Sequence, residues 1–205
     1  MPTDVPIRCS CGTLRGVVRG VSPRSGNRVI CYCAGCQAFP HFLGCADRIL
    51  DARGGTDIFQ TSPARVELTH GRERLACVRQ TPTGALRWYA DCCRTPLGNT
   101  ARSREVPFVG LFSQSLDPAS IGTTLDALLG PVRGHVNTKA AKLPVRTSGV
   151  LRSIGRFARL ALQARLRGEQ RKSPFFDAAL DKPSVEPRVL SADEYAALER
   201  QLGPL

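Results

Sequence analysis

Long apolar runs are missing from this chain of 205 residues. No stretch approaches the roughly 20 apolar residues that a membrane-spanning helix needs. The N-terminal "MPTDVPIRCS" likewise has no apolar segment of the secretory type. A soluble, cytoplasmic protein in a reducing compartment is therefore expected. No internal repeat is evident. No recognised reader motif and no interleaving of aromatic with basic residues supports contacts to bases, so sequence-specific nucleic-acid binding is not expected. A hydrophobic content of 42% is enough for a real core, and the length suits one ordinary domain with an appendage.

What the chain has in abundance is cysteine. There are nine, an odd number, without an export signal, which argues against a disulfide framework. Their clustering says more. Cys9 and Cys11 form C-x-C, Cys31, Cys33 and Cys36 form C-x-C-x2-C, and Cys92 and Cys93 are adjacent. Sets this close bridge poorly to one another and wrap a metal well. Structural zinc sites close a tetrahedron with four protein ligands, whereas catalytic ones supply three and leave a corner for water or substrate. Three thiolates from the short 31–36 loop suit the open arrangement. Cys9, Cys11 and the Cys92/Cys93 pair suit a closed one that joins the N-terminus to a distant strand.

The first hundred residues read as short strands and turns, predicting a mainly β domain of antiparallel strands over 1–145. "ARVELTHGRERLACVRQ" reads as a hairpin with His70-Gly71 at its bend. "ALRWYADCC" reads as a strand running into the last cysteine pair, and "DPASIGTTLDALLG" as a short helix ended by Gly130. A basic amphipathic helix is expected within 146–170, with Val150, Ile154, Phe157, Ala161 and Ala164 on one face, widened by Leu151, Ala158 and Leu162, and Arg152, Arg156, Arg159 and Arg167 opposite. Residues 171–190 read as linker, followed by a short terminal helix whose Ser191 and Glu194 have capping-box spacing. The net charge of +12 is concentrated: residues 131–172 hold 11 Lys/Arg against 1 Asp/Glu, a net of +10.

Four stretches in order, "RCSCGTLRG", "CYCAGCQAF", "LRWYADCCRTPLG" and "FVGLFSQSLDP", with a fainter "GHVNTKAAKLP", resemble the family of glutathione-dependent formaldehyde-activating enzymes, which includes centromere protein V. The resemblance implies a zinc-binding β-tent fold with a C-terminal helical extension in this chain, and one or two zinc ions. Cys31, Cys33 and Cys36 match the ligands of the catalytic zinc, Cys9 and Cys11 half of the structural site, and Cys93 its last ligand. Ala90 stands where the family has the first cysteine of its later C-x2-C, and Arg94 where it has a glycine. The structural site is then closed by the neighbouring Cys92, completed by another ligand, or lost. The implied activity is that of a carbon–sulfur lyase joining glutathione or another small thiol to formaldehyde as S-hydroxymethylglutathione.

Glutathione needs cationic partners for its carboxylates, and Arg94 is a candidate by position. Cys77 and Cys45 read as buried thiols, and His41 as a packed loop histidine with a lesser case for acid/base or ligand duty. Trp88 and Tyr89 read as shields for the metal. The competing reading is a catalytically degenerate, zinc-stabilised binding module, with the helix over 147–168 docked on the domain or contacting an anionic membrane surface or nucleic acid.

Overall fold

The computed structural model describes residues 1–177 and 179–202. Residue 178, within the expected linker, and residues 203–205 of the expected terminal segment lie outside the described residues. Two sheets face each other. The smaller contains β1 (Thr3–Arg8), β2 (Arg15–Val21) and β5 (Val66–His70), in the order β1-β2-β5 and antiparallel throughout. The larger has eight strands: β3 (Asn27–Cys31), β4 (Thr56–Thr61), β6 (Leu75–Arg79), β7 (Leu86–Ala90), β8 (Thr95–Thr100), β9 (Val109–Phe112), β10 (Gly134–Val136) and β13 (Arg188–Val189). Their order is β10-β3-β4-β9-β8-β7-β6-β13, and the two edge pairings are parallel. The architecture is mainly β, as expected, but the large sheet is mixed rather than wholly antiparallel.

Strand alternation separates two burial zones. Val5, Ile7 and Val18 of the small sheet meet Phe59, Leu75, Trp88 and Leu111 of the large one in the main core. The intervening residues of the large sheet, including Val78, Tyr89 and Phe112, turn to its outer face. There they meet α1 (Ala34–Phe42), α2 (Ala46–Ile49) and the C-terminal helix α5 (Ala192–Leu202). The predicted capping box opens α5: Ser191 N donates to Glu194 Oε2 at 2.9 Å and Glu194 N to Ser191 Oγ at 3.1 Å. Arg28, buried on β3, fastens the sheet to α3 (Leu125–Leu129) by donating to Asp57 at 2.7 Å and to Asp126 at 2.6 Å. The short helix before Gly130 is thus present, as α3.

The expected hairpin over 66–79 is not formed. Both strands exist, but β5 pairs with β2 and β6 with β7. The reason lies in the bend. Gly71 has a φ of 65°, and a Cβ there would sit 2.3 Å from the Thr13 carbonyl oxygen. The left-handed residue followed by a 3-10 turn carries the chain from one sheet to the other instead of folding it back.

The described residues of 171–190, expected to be linker, pack into the domain. They supply the pair β11 (Phe176–Asp177) and β12 (Lys182–Pro183), the edge strand β13, and buried Phe175, whose ring centroid lies 5.1 Å from that of Trp88. Helix α4 (Val150–Leu166) occurs where predicted and docks through Phe157 and Ala164 of its expected apolar face, while Ile154 of that face stays exposed. Arg156, expected on the solvent face, points inward and donates to the Gly26 and Pro23 carbonyls, each at 2.7 Å. Backbone carbonyls of the 22–27 turn gather guanidinium donors, since Arg133 also donates to the Pro23 carbonyl at 3.0 Å.

Candidate metal centre

The chain assembles seven of its nine cysteines into two groups. Cys9, Cys11, Cys92 and Cys93 form one and Cys31, Cys33 and Cys36 the other, with the sulfurs of each group all within 4.8 Å of one another. Cys45 and Cys77 are buried thiols outside both groups, as expected.

The tetrathiol lies at the end of β1, beside the main core, and is closed by the turn between β7 and β8. Its sulfur separations are 3.5 Å for Cys9–Cys11, 3.8 Å for Cys9–Cys92, 3.4 Å for Cys11–Cys92 and 3.9 Å for Cys92–Cys93. A tetrahedron with metal–sulfur bonds of about 2.3 Å has sulfur–sulfur edges of about 3.8 Å. The four side chains therefore fit a thiolate-bound metal and are compatible with zinc. Cys92 takes the corner that Ala90 leaves. Adjacent cysteines in a strand would point apart, but residues 91–94 form a turn. Arg94, at φ 54°, carries the chain through the left-handed region there. A glycine would adopt that conformation without strain.

Metal-free, the four thiols divide the charge. Burial raises Cys9, and burial with hydrogen bonds from Cys11 and Cys9 pushes Cys92 up to about 12. Thr13 lowers Cys11. Burial opposes ionisation of Cys93, but hydrogen bonds from Ser10, Thr95 and Cys11 outweigh it and bring that thiol down to about 5.

The trithiol sits on the outer face of the large sheet. Cys31 ends β3, Cys33 is the N-cap of α1, and Cys36 lies in its first turn, where helix N–H groups favour negative charge. Cys31 and Cys33 sulfurs are 3.5 Å apart. Among the described residues, no histidine, carboxylate or fourth cysteine joins this group. Several neighbours hold it. Gln37 Nε2 donates to the Tyr32 carbonyl at 2.7 Å and to the Ala140 carbonyl at 2.6 Å, tying the loop to the turn after β10. Pro40, inside α1, lacks the N–H that would reach the Cys36 carbonyl, and Thr56 Oγ1 donates to that oxygen instead at 3.1 Å. Asn137, at φ 56°, donates from Nδ2 to Cys31 Sγ at 3.4 Å. Val29, Ile58 and Val136 supply an apolar wall.

The charge on this centre has a visible counterpart. Hydrogen bonds from Cys31 and then Cys36 hold the Cys33 thiol far below its ordinary range, and the Arg87 charge adds to the effect. Hydrogen bonding to Cys33 raises Cys31, and hydrogen bonds from Cys31 and Cys33 raise Cys36. Arg87 is only 7% exposed, and among the described residues no carboxylate pairs with it. It donates to Asn99 Oδ1 at 3.0 Å, and its guanidinium lies 5.7 Å from the Phe39 ring centroid. One of its terminal nitrogens would be 2.5 Å from a Cβ at Gly35, so the guanidinium lies close against the start of α1. A buried cation of this kind is costly unless an anion answers it. The Cys33 thiolate, which the Arg87 charge favours, is that anion. Replacing Arg87 by leucine is expected to weaken metal binding at the trithiol by about 10- to 100-fold, with the tetrathiol ion unaffected. Competition with a chromophoric chelator reads both affinities.

The other expected site residues lie elsewhere. Arg94 does not face the trithiol: it donates to the Leu43 carbonyl at 3.2 Å and to the Phe42 carbonyl, at the far end of α1 from Cys33. The guanidinium is consumed by those carbonyls and by the Phe42 ring, 5.1 Å away. His41 is in the last turn of α1, outside both thiol groups, with its pKa lowered by burial and by Lys142. Trp88 belongs to the main core and Tyr89 packs on Phe39 and Phe42 across the sheet, so the pair does not shield one metal. Arg87 and Asn137 were not anticipated. A lone arginine in the apolar "ALRWYA" was the available sign of the first, and the faint "GHVNTKAAKLP" match contained the second.

Fold and centres define a mainly β protein with two cysteine groups able to hold metal ions. The chain belongs to the DUF6151 family, a family of unknown function whose model matches residues 1–186. It is similar to a Rhodobacter sphaeroides protein solved as a structural-genomics target, at 18% identity over 58% of this chain and 96% of that one, with a TM-score of 0.37. No curated protein matches the chain.

Proposed function

We propose that the protein is a zinc-dependent carbon–sulfur lyase-like enzyme acting on a small-thiol adduct of the S-hydroxymethylglutathione type. The observation that carries this reading is a three-thiol group that, among the described residues, has no fourth protein ligand and faces a buried arginine paired with no carboxylate. The resemblance of the ordered cysteine stretches to formaldehyde-activating enzymes supplies the reaction class. A zinc ion held by Cys31, Cys33 and Cys36 would supply a position at which a substrate thiol loses its proton near neutral pH. Arg87 offsets the surplus negative charge of three thiolates. Asn137 orients Cys31, and Thr56 and Gln37 fix the loop. Val29, Ile58 and Val136 limit water at one side. In the addition, the thiol sulfur bonds to the formaldehyde carbon, the carbonyl π pair moves to oxygen, and the thiol proton ends there as the hydroxyl. Nothing is oxidised or reduced, and cleavage is the reverse.

The tetrathiol serves the fold. Protein purified under reducing conditions is expected to hold two zinc ions and to accelerate exchange between formaldehyde hydrate and S-hydroxymethylglutathione, followed by exchange NMR. Two ions without acceleration for glutathione or any other small thiol tested would refute catalysis. A single ion, assigned to the tetrathiol, would refute the site itself.

A further inference from the structure

Helix α4 is docked by the side that carries Arg156, Phe157 and Ala164. Arg156 reaches the 22–27 turn, Phe157 packs edge-on against Phe108 with centroids 5.1 Å apart, and Ala164 is buried. Arg165 donates to Glu105 at 2.8 Å. These contacts fix the rotation of the helix about its axis. The opposite side therefore stays outward, and it is apolar: Leu151 is 85% exposed, Ile154 58%, Leu162 59% and Leu166 79%. Ala158 is exposed in the same row, and a Cβ at Gly155 would meet nothing within 4 Å. No part of the described chain covers this face.

At about 100° per residue, Leu151, Ala158 and Leu162 run down the centre of that face, with Ile154 and Leu166 beside them. Exposed Arg152 and Arg159 follow one rim, while Arg165, paired with Glu105, lies between Ile154 and Ala158. From Leu151 to Leu166 the row is about 22 Å long at 1.5 Å per residue.

We propose that α4 is an interfacial docking helix for anionic phospholipid surfaces, its leucine row entering the boundary between headgroups and acyl chains and its rim arginines pairing with lipid phosphates. The chemistry selects this occupant. A polyanion such as duplex DNA answers the arginines but offers nothing to five apolar side chains at the centre of the face. A second copy answers the leucines but brings a second like-charged rim. A bilayer with anionic lipid answers both. This surface is independent of the thiol chemistry proposed above.

The test uses the full chain and sedimentation with vesicles of phosphatidylcholine alone or with about 30% phosphatidylglycerol. Partitioning is expected to be at least about tenfold stronger with the anionic lipid. It should fall at least about tenfold in Leu151→Ser/Leu162→Ser and, at low salt, in Arg152→Glu/Arg159→Glu. Both double variants replace exposed side chains, and an unchanged thermal midpoint and metal content would show that they fold. Leu162→Trp should give a blue-shifted emission with anionic vesicles, against the constant background of buried Trp88. Equal sedimentation with both vesicles, none with either, or anionic binding unmoved by the leucine substitutions would overturn the proposal. So would a dimer in sedimentation velocity, or duplex-DNA binding, that the leucine substitutions abolish.

Discussion

Replacing Cys9 by alanine is expected to release one metal ion and to lower the thermal midpoint by more than about 10 °C. Cys9 is fully buried at the end of β1 and belongs to the main core as well as to the tetrathiol. Its group joins residues separated by 81 and 83 positions, Cys11 with Cys92 and Cys9 with Cys92. Binding free energy at such a site is folding free energy, because the unfolded chain does not preform it. Structural zinc contributes about 10 kcal/mol or more in small fingers, against a total stability of about 5–15 kcal/mol for a domain. Even half of that value exceeds a shift of about 10 °C at this chain length. A tight chelator should reproduce the loss in the unsubstituted protein. The pH response follows from the thiols. Burial and hydrogen bonding raise Cys9 and Cys92, so protons compete hardest for those two sulfurs and metal affinity should fall as pH falls. A midpoint unchanged by both alanine and chelator would contradict a metal role for this group.

Cys33→Ala is expected to behave in the opposite way. Turnover should fall by more than about 100-fold, beyond what losing a residue hydrogen-bonded to a ligand costs, while the protein stays folded. Cys33 is half-buried and begins α1 with its backbone, since its carbonyl accepts from Cys36 N at 2.9 Å and Gln37 N at 3.1 Å. An alanine preserves those bonds. The sulfur, however, carries the negative charge of the metal-free trithiol through its hydrogen bonds from Cys31 and Cys36. Without it, two thiols remain, and Arg87 loses the anion it faces. Metal content should drop from two ions to one with a modest change in thermal midpoint. A variant that keeps both ions, or unfolds as Cys9→Ala does, would show that the two centres are not divided between chemistry and fold.

The sequence displays local spacing well and long-range convergence poorly. C-x-C-x2-C is visible because its ligands share six residues. Whether Cys92 could replace the cysteine missing at Ala90 depends on the backbone at 91–94, where Arg94 takes a conformation that its side chain does not advertise. Alternation identified β5 and β6, but their pairing was decided by Gly71 and its close approach to Thr13. The 3.6-residue period located α4. Its docked side was decided by carbonyls at Pro23 and Gly26 and by Phe108, none of them near it in sequence. Residues 171–190 escaped notice because two-residue strands have no period to read, and Phe175 and Phe176 stand among polar neighbours.

The packing of α5 against α1 has a consequence for biosynthesis. Leu198 and Leu202 share a buried layer with Ala38 and Phe39, on the helix that carries Cys33 and Cys36. A nascent polypeptide emerging from the ribosome presents the three thiols about 160 residues before the segment that covers their helix. During that interval the three sulfurs lack the packing that α5 gives their helix.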